Sequence, residues 1–147
     1  MGYTHYWRHP RWSKADREGF VQALPIIRDI LHVRYKGILC RSFGLQKPPI
    51  VNAGEIQFNG VDGGEDFLCF NRKRLGDYCK TGWLPYDIPV CEVLLVLHAH
   101  CLNFEIKSDG LSKKAGQFVL KEESWYEAHE NVRHHYSGLN LRGFRTF

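Results

Sequence analysis

The chain has 147 residues, of which 44% are hydrophobic and 24% charged, values typical of one soluble globular domain. Its longest apolar run, residues 90–102, is interrupted by Glu92, His98 and His100 and is too short for a membrane-spanning helix of about 20 residues. We therefore expect no membrane partner. The net charge of +4 favours anionic partners but is too small to indicate nucleic-acid binding by itself.

In chain order, the first third predicts a strand followed by a helix. Residues 2–8 alternate and are rich in Tyr and Trp, which is typical of a strand. Ser13 and Asp16 form the pattern of an N-terminal capping box, and apolar residues then repeat at helical spacing as far as about Tyr35. Pro25 should kink or split this helix, because proline removes a backbone donor.

The middle of the chain predicts short strands at residues 38–42, 55–59, 66–72 and 77–81, separated by loops and by the turn dipeptide Asn59-Gly60. The last two of these strands are expected to form a hairpin. Asp87 is a predicted N-cap that places Pro89 in the first turn of a second helix. A strand at 104–107, a turn at 108–110 and a third, amphipathic helix at 122–135 follow.

This order predicts a single α+β domain over residues 1–147, with an antiparallel or mixed sheet and two main helices packed on one face. A ferredoxin-like variant is the nearest simple topology. The five cysteines are odd in number and form no CxxC pair, and three of them lie in apolar runs, as free buried thiols do. The start of the chain is aromatic and basic, unlike a secretory signal peptide, so we expect a cytoplasmic protein without disulfides.

Several short motifs, taken in order, resemble those of a family of small proteins from bacteriophages, some bacteria and some fungi. They are Gly-Tyr-Thr-His-Tyr-Trp at 2–7, Ile-Gln-Phe-Asn-Gly at 56–60, Glu-Asp-Phe at 65–67, Cys-Lys-Thr at 79–81, Pro-Tyr-Asp at 85–87 and Ser-Asp-Gly at 108–110. The resemblance implies a shared site and a phage or accessory-gene setting, such as an anti-defence role, and it supplies no reaction. Residues 111–147 depart from the family and form a divergent C-terminal extension.

The motifs place polar and aromatic side chains on predicted strand ends, where binding groups usually lie. We expect the first strand and the strand that carries Cys79 to be neighbours, so that His5 and Lys80 face one groove. Aromatic rings in such a groove would stack on a planar ligand, and a lysine would supply a point charge for phosphate. The predicted ligand-binding residues are Tyr3, His5, Trp7, Asn59, Lys80, Thr81, Tyr86 and Asp109. They predict a small binding protein for a nucleotide-like or other anionic ligand.

Two other functions stay open. A small hydrolase or transferase would use His5, Cys79, Asp87 or Glu65 as catalytic groups, for example Cys79 as nucleophile and His5 as base. A protein–protein inhibitor would bind a host protein through its aromatic surface and the basic, aromatic tail at 139–147. A homo-oligomer is compatible with all three functions. No cofactor is predicted, and no metal site either, because the histidines lack the spacing of metal ligands.

Overall fold

The computed structural model describes residues 3–114, 117–120 and 123–141. The fold is α+β, as predicted. Its α-helices are α1 (Lys14–Arg28), α2 (Asp87–His100) and α3 (Glu123–His135), and a π-helix (Asp29–Arg34) and a 3₁₀ turn (Lys36–Ile38) follow α1. The strands are β1 (Thr4–His9), β2 (Leu39–Cys40), β3 (Ile50–Val51), β4 (Glu55–Gly60), β5 (Gly63–Phe70), β6 (Arg74–Lys80), β7 (Glu105–Ser108), β8 (Leu111–Lys114) and β9 (Gln117–Leu120).

In the described part of the chain the strands form three sheets rather than the single sheet of a ferredoxin-like variant. The first sheet has the order β6-β1-β7, the second joins β2, β3 and β5 to β4, and the third is the β8-β9 hairpin. All of the pairings are antiparallel. The predicted hairpin between β5 and β6 is wrong, because β5 pairs with β4 while β6 crosses over to pair with β1.

Strand β1 is the centre of the first sheet, with β6 on one side and β7 on the other. Its residue His5 lies opposite Cys79 of β6 and opposite Ser108 of β7. The predicted contact between the first strand and the strand that carries Cys79 is therefore confirmed. One face of β1 is buried under the helices, and its other face carries the partly exposed Tyr6 and Arg8.

Helix α1 begins as predicted at a capping box. The Ser13 hydroxyl accepts a hydrogen bond from the Asp16 backbone N–H at 3.1 Å, and the Asp16 carboxylate accepts one from the Ser13 backbone N–H at 3.0 Å. Pro25 does not end the helix, which continues to Arg28 and then widens into the π-helix. π-Helical turns are rare in proteins, and those that occur are often found at functional sites.

Helix α2 is buried on nearly all sides, because it packs against both α1 and α3 as well as the first sheet. A Cβ atom at Gly19 of α1 would lie 2.1 Å from the His100 carbonyl oxygen, so the two helices meet too closely for any larger residue. Among the described residues no helix is both long and apolar enough to cross a membrane. All five cysteines are buried thiols.

Candidate functional site

His5 and Lys80 lie on opposite faces of the first sheet, so the groove expected between them does not form. Residues directly opposite each other in an antiparallel pair share a face. Lys80 lies opposite Thr4, whereas His5 lies opposite Cys79. The His5 side chain is completely buried, while Lys80 is exposed to solvent. The two strands are neighbours as expected. Lys80 is one residue out of register with His5, however, and a shift of one residue places a side chain on the other face of the sheet.

The prediction that Tyr3 and Trp7 line a groove is also wrong, because both rings are buried in the core. Trp7 has 0% exposure and stacks on Phe67 with ring centroids 4.7 Å apart. Tyr3 is buried as well. The exposed face of the sheet instead carries Tyr6 opposite Tyr78 and Lys107, with Lys80 nearby.

The buried face of the sheet holds a chain of three hydrogen-bonded side chains from β1, α2 and β7. His5 Nε2 lies 2.5 Å from Asp87 Oδ1, and His5 Nδ1 lies 2.6 Å from Ser108 Oγ. These residues are separated by 82 and 103 positions in the sequence. Tyr3 and Trp125 pack edge-on against the imidazole, with ring centroids 5.1 and 5.3 Å from it, so His5 is closed off from water.

The hydrogen bonds that Ser108 accepts show where the protons lie between Ser108, His5 and Asp87. Ser108 Oγ accepts a hydrogen bond from the Gly110 backbone N–H at 3.0 Å and another from Trp125 Nε1–H at 3.1 Å. A hydroxyl oxygen has two lone pairs and one proton. The Ser108 proton is therefore donated to His5 Nδ1, and the ring proton resides on Nε2, where it is donated to Asp87.

The Asp–His–Ser order is that of a catalytic triad, but Ser108 is not in the state of a nucleophile. A nucleophilic serine attacks with a lone pair of its oxygen. Both lone pairs of Ser108 Oγ accept hydrogen bonds from the protein, and its side chain is almost fully buried. The chain of hydrogen bonds is therefore suited to fixing the orientation and charge of Asp87.

Asp87 is the charged group of this cluster. Burial opposes its ionisation, but the hydrogen bonds and charge of His5 and the hydroxyls of Thr81 and Ser124 outweigh burial, so the pKa of Asp87 is below its usual value. The Thr81 hydroxyl donates to Oδ1 at 2.5 Å. Asp87 is thus a carboxylate at neutral pH. The prediction that Asp87 is an N-cap is wrong, because Tyr86 takes that position and the Asp87 side chain turns toward β1.

The second carboxylate oxygen of Asp87, Oδ2, makes no hydrogen bond to the described residues although it is buried. Buried carboxylate oxygens are nearly always hydrogen-bonded. Asp87 lines a cleft with a cavity volume of about 230 Å³ between the start of α2 and the start of α3. Oδ1 is engaged with His5 and Thr81, and the Ser124 side chain, which also lines the cleft, lies close enough to Asp87 to help lower its pKa. The cleft is lined by Trp83, Leu84, Pro85, Asp87, Ile88, Glu123, Ser124 and Glu127.

The loop between β6 and α2 holds an exposed indole ring at the cleft. Gly82 and Trp83 both have positive φ angles, of 58° and 60°. This left-handed conformation is uncommon and unfavourable for a residue with a bulky side chain, and such residues cluster at functional sites. The Trp83 ring stacks on Tyr3 with centroids 4.5 Å apart and remains 58% exposed.

A metal ion would require the cluster to rearrange. Ligand atoms of His5, Asp87 and Cys91 lie within 4.8 Å of one another. Bonds of about 2.0 Å to a tetrahedral ion would hold the nitrogen and oxygen ligands about 3.3 Å apart. His5 Nε2 and Asp87 Oδ1 are separated by only 2.5 Å, which fits a shared proton rather than a shared metal. Burial raises the pKa of the Cys91 thiol well above its usual range, so this ligand is protonated in the cluster as it stands.

Cys79 does not fit the role of a nucleophile. Burial raises the pKa of its thiol to about 12, so the reactive thiolate is absent at neutral pH. Its sulfur lies 3.4 Å from the carbonyl oxygen of Glu65 and 3.7 Å from the hydroxyl of Tyr86. Glu65, the other carboxylate considered for catalysis, accepts a hydrogen bond from the Lys80 backbone N–H instead of contacting His5.

Of the other predicted ligand-binding residues, Thr81 joins the cluster and three have structural contacts elsewhere. Tyr86 is buried and donates a hydrogen bond to the Glu65 carbonyl at 2.8 Å. Asn59 is buried and donates to Asp66 and to the Gly64 carbonyl. Asp109 accepts from the Thr4 backbone N–H at 3.1 Å. Most of the predicted tail at 139–147 lies outside the described residues.

Sequence reasoning missed several residues of the site, among them Trp83, Cys91, Ser108, Ser124 and Trp125. Ser108 and Trp83 stand in or beside motifs that were recognised, Ser-Asp-Gly and Cys-Lys-Thr. Trp125 is an apolar residue of the third helix, but its position over His5 depends on how that helix packs on α2.

No family model, curated protein or solved structure matches this chain. The resemblance to the phage, bacterial and fungal proteins therefore stays a prediction. The same holds for the phage setting, the host-protein partner, the homo-oligomer and the cytoplasmic location.

Proposed function

We propose that this protein binds a small organic cation, whose ammonium, amidinium or guanidinium group meets Asp87 in the cleft between α2 and α3. The observation that carries the proposal is the buried, ionised Asp87, whose oxygen Oδ2 makes no hydrogen bond of ordinary geometry within the described residues. An ionised carboxylate only accepts hydrogen bonds, so the group that satisfies it is an N–H or O–H donor. The proposal keeps the predicted class, a small-molecule binding protein, and reverses the charge of the ligand.

The charge of the cleft favours a cation. Asp87 is buried and ionised, and the exposed Glu123 and Glu127 stand at the rim. None of the described lining residues is a lysine or an arginine. A phosphate group would be repelled by the three carboxylates, although the whole chain has a net charge of +4. A charge-assisted hydrogen bond to Asp87 would contribute about 1.5–3 kcal/mol, roughly a 10- to 100-fold gain in affinity.

Trp83 supplies the second element of a cation site. One face of its ring is covered by Tyr3, and the ring as a whole is still 58% exposed. A cation over the face of an exposed indole gains about 0.5–1 kcal/mol. The unfavourable backbone conformation of Trp83 is what presents this ring beside Asp87, which fits a binding role for the loop.

The size of the cleft limits the ligand. Its cavity volume of about 230 Å³ is below the range of about 300–1,000 Å³ typical of sites for drug-sized molecules. An amine head group with a short chain or one ring fits this volume, whereas a complete nucleotide would extend into solvent.

A titration followed by ¹H–¹⁵N NMR tests the proposal with three probes. Benzylamine is expected to shift the amide signals of residues 83–88 and 123–127. Benzoate, which has a similar size and the opposite charge, and AMP, which represents the predicted nucleotide, should leave those signals unchanged.

Two variants connect the binding to the carboxylates. Asp87→Asn would direct an amide N–H₂ at the ligand while its oxygen keeps the bonds from His5 and Thr81, and it should weaken benzylamine at least tenfold. Glu123→Gln with Glu127→Gln changes only exposed groups and should also weaken it, whereas Glu130→Gln, on the same helix outside the cleft, should not. Benzoate or AMP binding in the cleft, or benzylamine binding that ignores all of these changes, would contradict the proposal.

A further inference from the structure

A second cleft, with a cavity volume of about 500 Å³, lies between the π-helix and the loop before β3. Its apolar part consists of Leu31 and Leu39, which are buried residues, and of Pro48 and Pro49. Its polar part consists of His32, Lys36, Gln46 and Lys47. Unlike the cleft at Asp87, this one has no carboxylate among its described lining residues.

The π-helix shapes this cleft. Tyr35, the residue that follows the π-helix, donates its backbone N–H to the Ile30 carbonyl at 3.0 Å. The segment contributes both Leu31 and His32 to the lining. His32 Nε2 lies 2.8 Å from the Pro49 carbonyl oxygen, so this nitrogen carries a proton and ties the π-helix to the loop across the cleft. π-helical segments are frequent at functional sites, and here one borders a formed cavity.

The two lysines of the cleft are not neutralised by their surroundings. Within the described residues, neither Lys36 nor Lys47 forms an ion pair. Both are exposed, and they approach the cleft from different segments, Lys36 after the π-helix and Lys47 in the loop. Lysine has three donors and no acceptor. A negatively charged group between them would be attracted by both charges at once.

We propose that this cleft binds an amphipathic organic anion, with a carboxylate between Lys36 and Lys47 and a short hydrocarbon tail against Leu31 and Leu39. The lining combines buried apolar walls with a few donors, which is the composition of small-molecule sites, and its volume lies within their usual range of about 300–1,000 Å³. This inference is independent of the cation site, since the two clefts share no residue.

The test compares octanoate, octylamine and acetate by ¹H–¹⁵N NMR titration of the full chain. Octanoate is expected to shift the signals of residues 31–39 and 46–49. Octylamine has the same tail and the opposite charge and should bind there at least tenfold more weakly. Acetate has the charge without the tail and should also bind at least tenfold more weakly.

The variant Lys36→Gln with Lys47→Gln removes both charges from exposed positions, so the fold should persist. It is expected to raise the dissociation constant of octanoate at least tenfold. A matched variant, Lys14→Gln with Lys73→Gln, removes the same charge outside the cleft and should leave octanoate binding within about twofold. Equal loss in both variants would mean that only the overall charge matters. That result, equal binding of octylamine, or no octanoate shift at millimolar concentration would overturn the proposal.

Discussion

Lowering the pH from 7.5 to 5 should destabilise this protein through His9, a residue outside both clefts. His9 is completely buried between the rings of Trp12 and Phe104, and neither of its ring nitrogens makes a hydrogen bond to the described residues. Burial lowers the pKa of His9 to about 4 from the usual 6.5, and the opposing effects of the Asp77 charge and of the Arg72 backbone are weaker. Folding therefore requires the neutral imidazole.

The sign follows from proton binding. Between pH 6.5 and 4 the unfolded chain binds a proton at His9 that the folded protein does not, so stability falls as the pH falls through this window. For these two pKa values the loss is about 2 kcal/mol at pH 5, relative to pH 7.5. At pH 5 the aspartates still contribute little, because their unfolded pKa values lie near 4.

The assay is urea unfolding followed by tryptophan fluorescence at pH 7.5 and pH 5. Other histidines titrate in the same window, so the wild type is compared with His9→Phe, which keeps an aromatic ring between Trp12 and Phe104 and cannot be protonated. The pH-dependent loss should be smaller in the variant by about 2 kcal/mol. If both proteins lose the same free energy within about 0.5 kcal/mol, a neutral, buried His9 is not what folding requires.

Two further predictions concern groups that position the site. Gly110→Ala should destabilise the fold by about 1–3 kcal/mol. The new Cβ would lie 2.0 Å from the Tyr3 hydroxyl and 2.6 Å from Trp125. Gly138→Ala is the control, because a Cβ there meets no atom within 4 Å. Thermal unfolding measures both, and equal melting temperatures would contradict the close contact. Glu92→Gln should cost about 3–5 kcal/mol in urea unfolding, because Glu92 is fully buried and pairs with Arg34 at 2.6 Å, so the change leaves a charge uncompensated. Glu130→Gln removes only the exposed pair with Arg133 and should lower the free energy of unfolding far less than Glu92→Gln does. Similar losses in the two variants would contradict this prediction.

The helices and the existence of most strands could be predicted from the sequence, because their signals are local. The capping box of Ser13 and Asp16, the alternation of β1 and the helical spacing of α3 each depend on residues within a few positions of one another. The sheet partners of β5 and β6 could not be predicted in this way. The two strands are joined by a short turn that favours a hairpin, yet each pairs with a different strand.

Only part of the site could be predicted, because the sequence pattern reports local structure and not long-range contacts. His5, Thr81 and Asp87 were named, but alternation in β1 gives two faces without telling which one is buried, and both faces carry aromatic residues. An aspartate at the start of a helix follows the same local pattern whether it caps the helix or turns away. Its bond to His5 spans 82 positions and depends on how α2 packs beneath β1, which no local pattern contains.

The central claim is that Asp87 Oδ2 receives a positively charged donor, and a crystal structure of the protein with benzylamine tests it most directly. We expect the amine nitrogen within about 2.7–3.0 Å of Oδ2, with the ligand in contact with Trp83 and the bonds from His5 and Thr81 to Oδ1 intact. An amine bound elsewhere, or an Oδ2 atom that is bound to a metal ion or to a protein donor, would contradict the account.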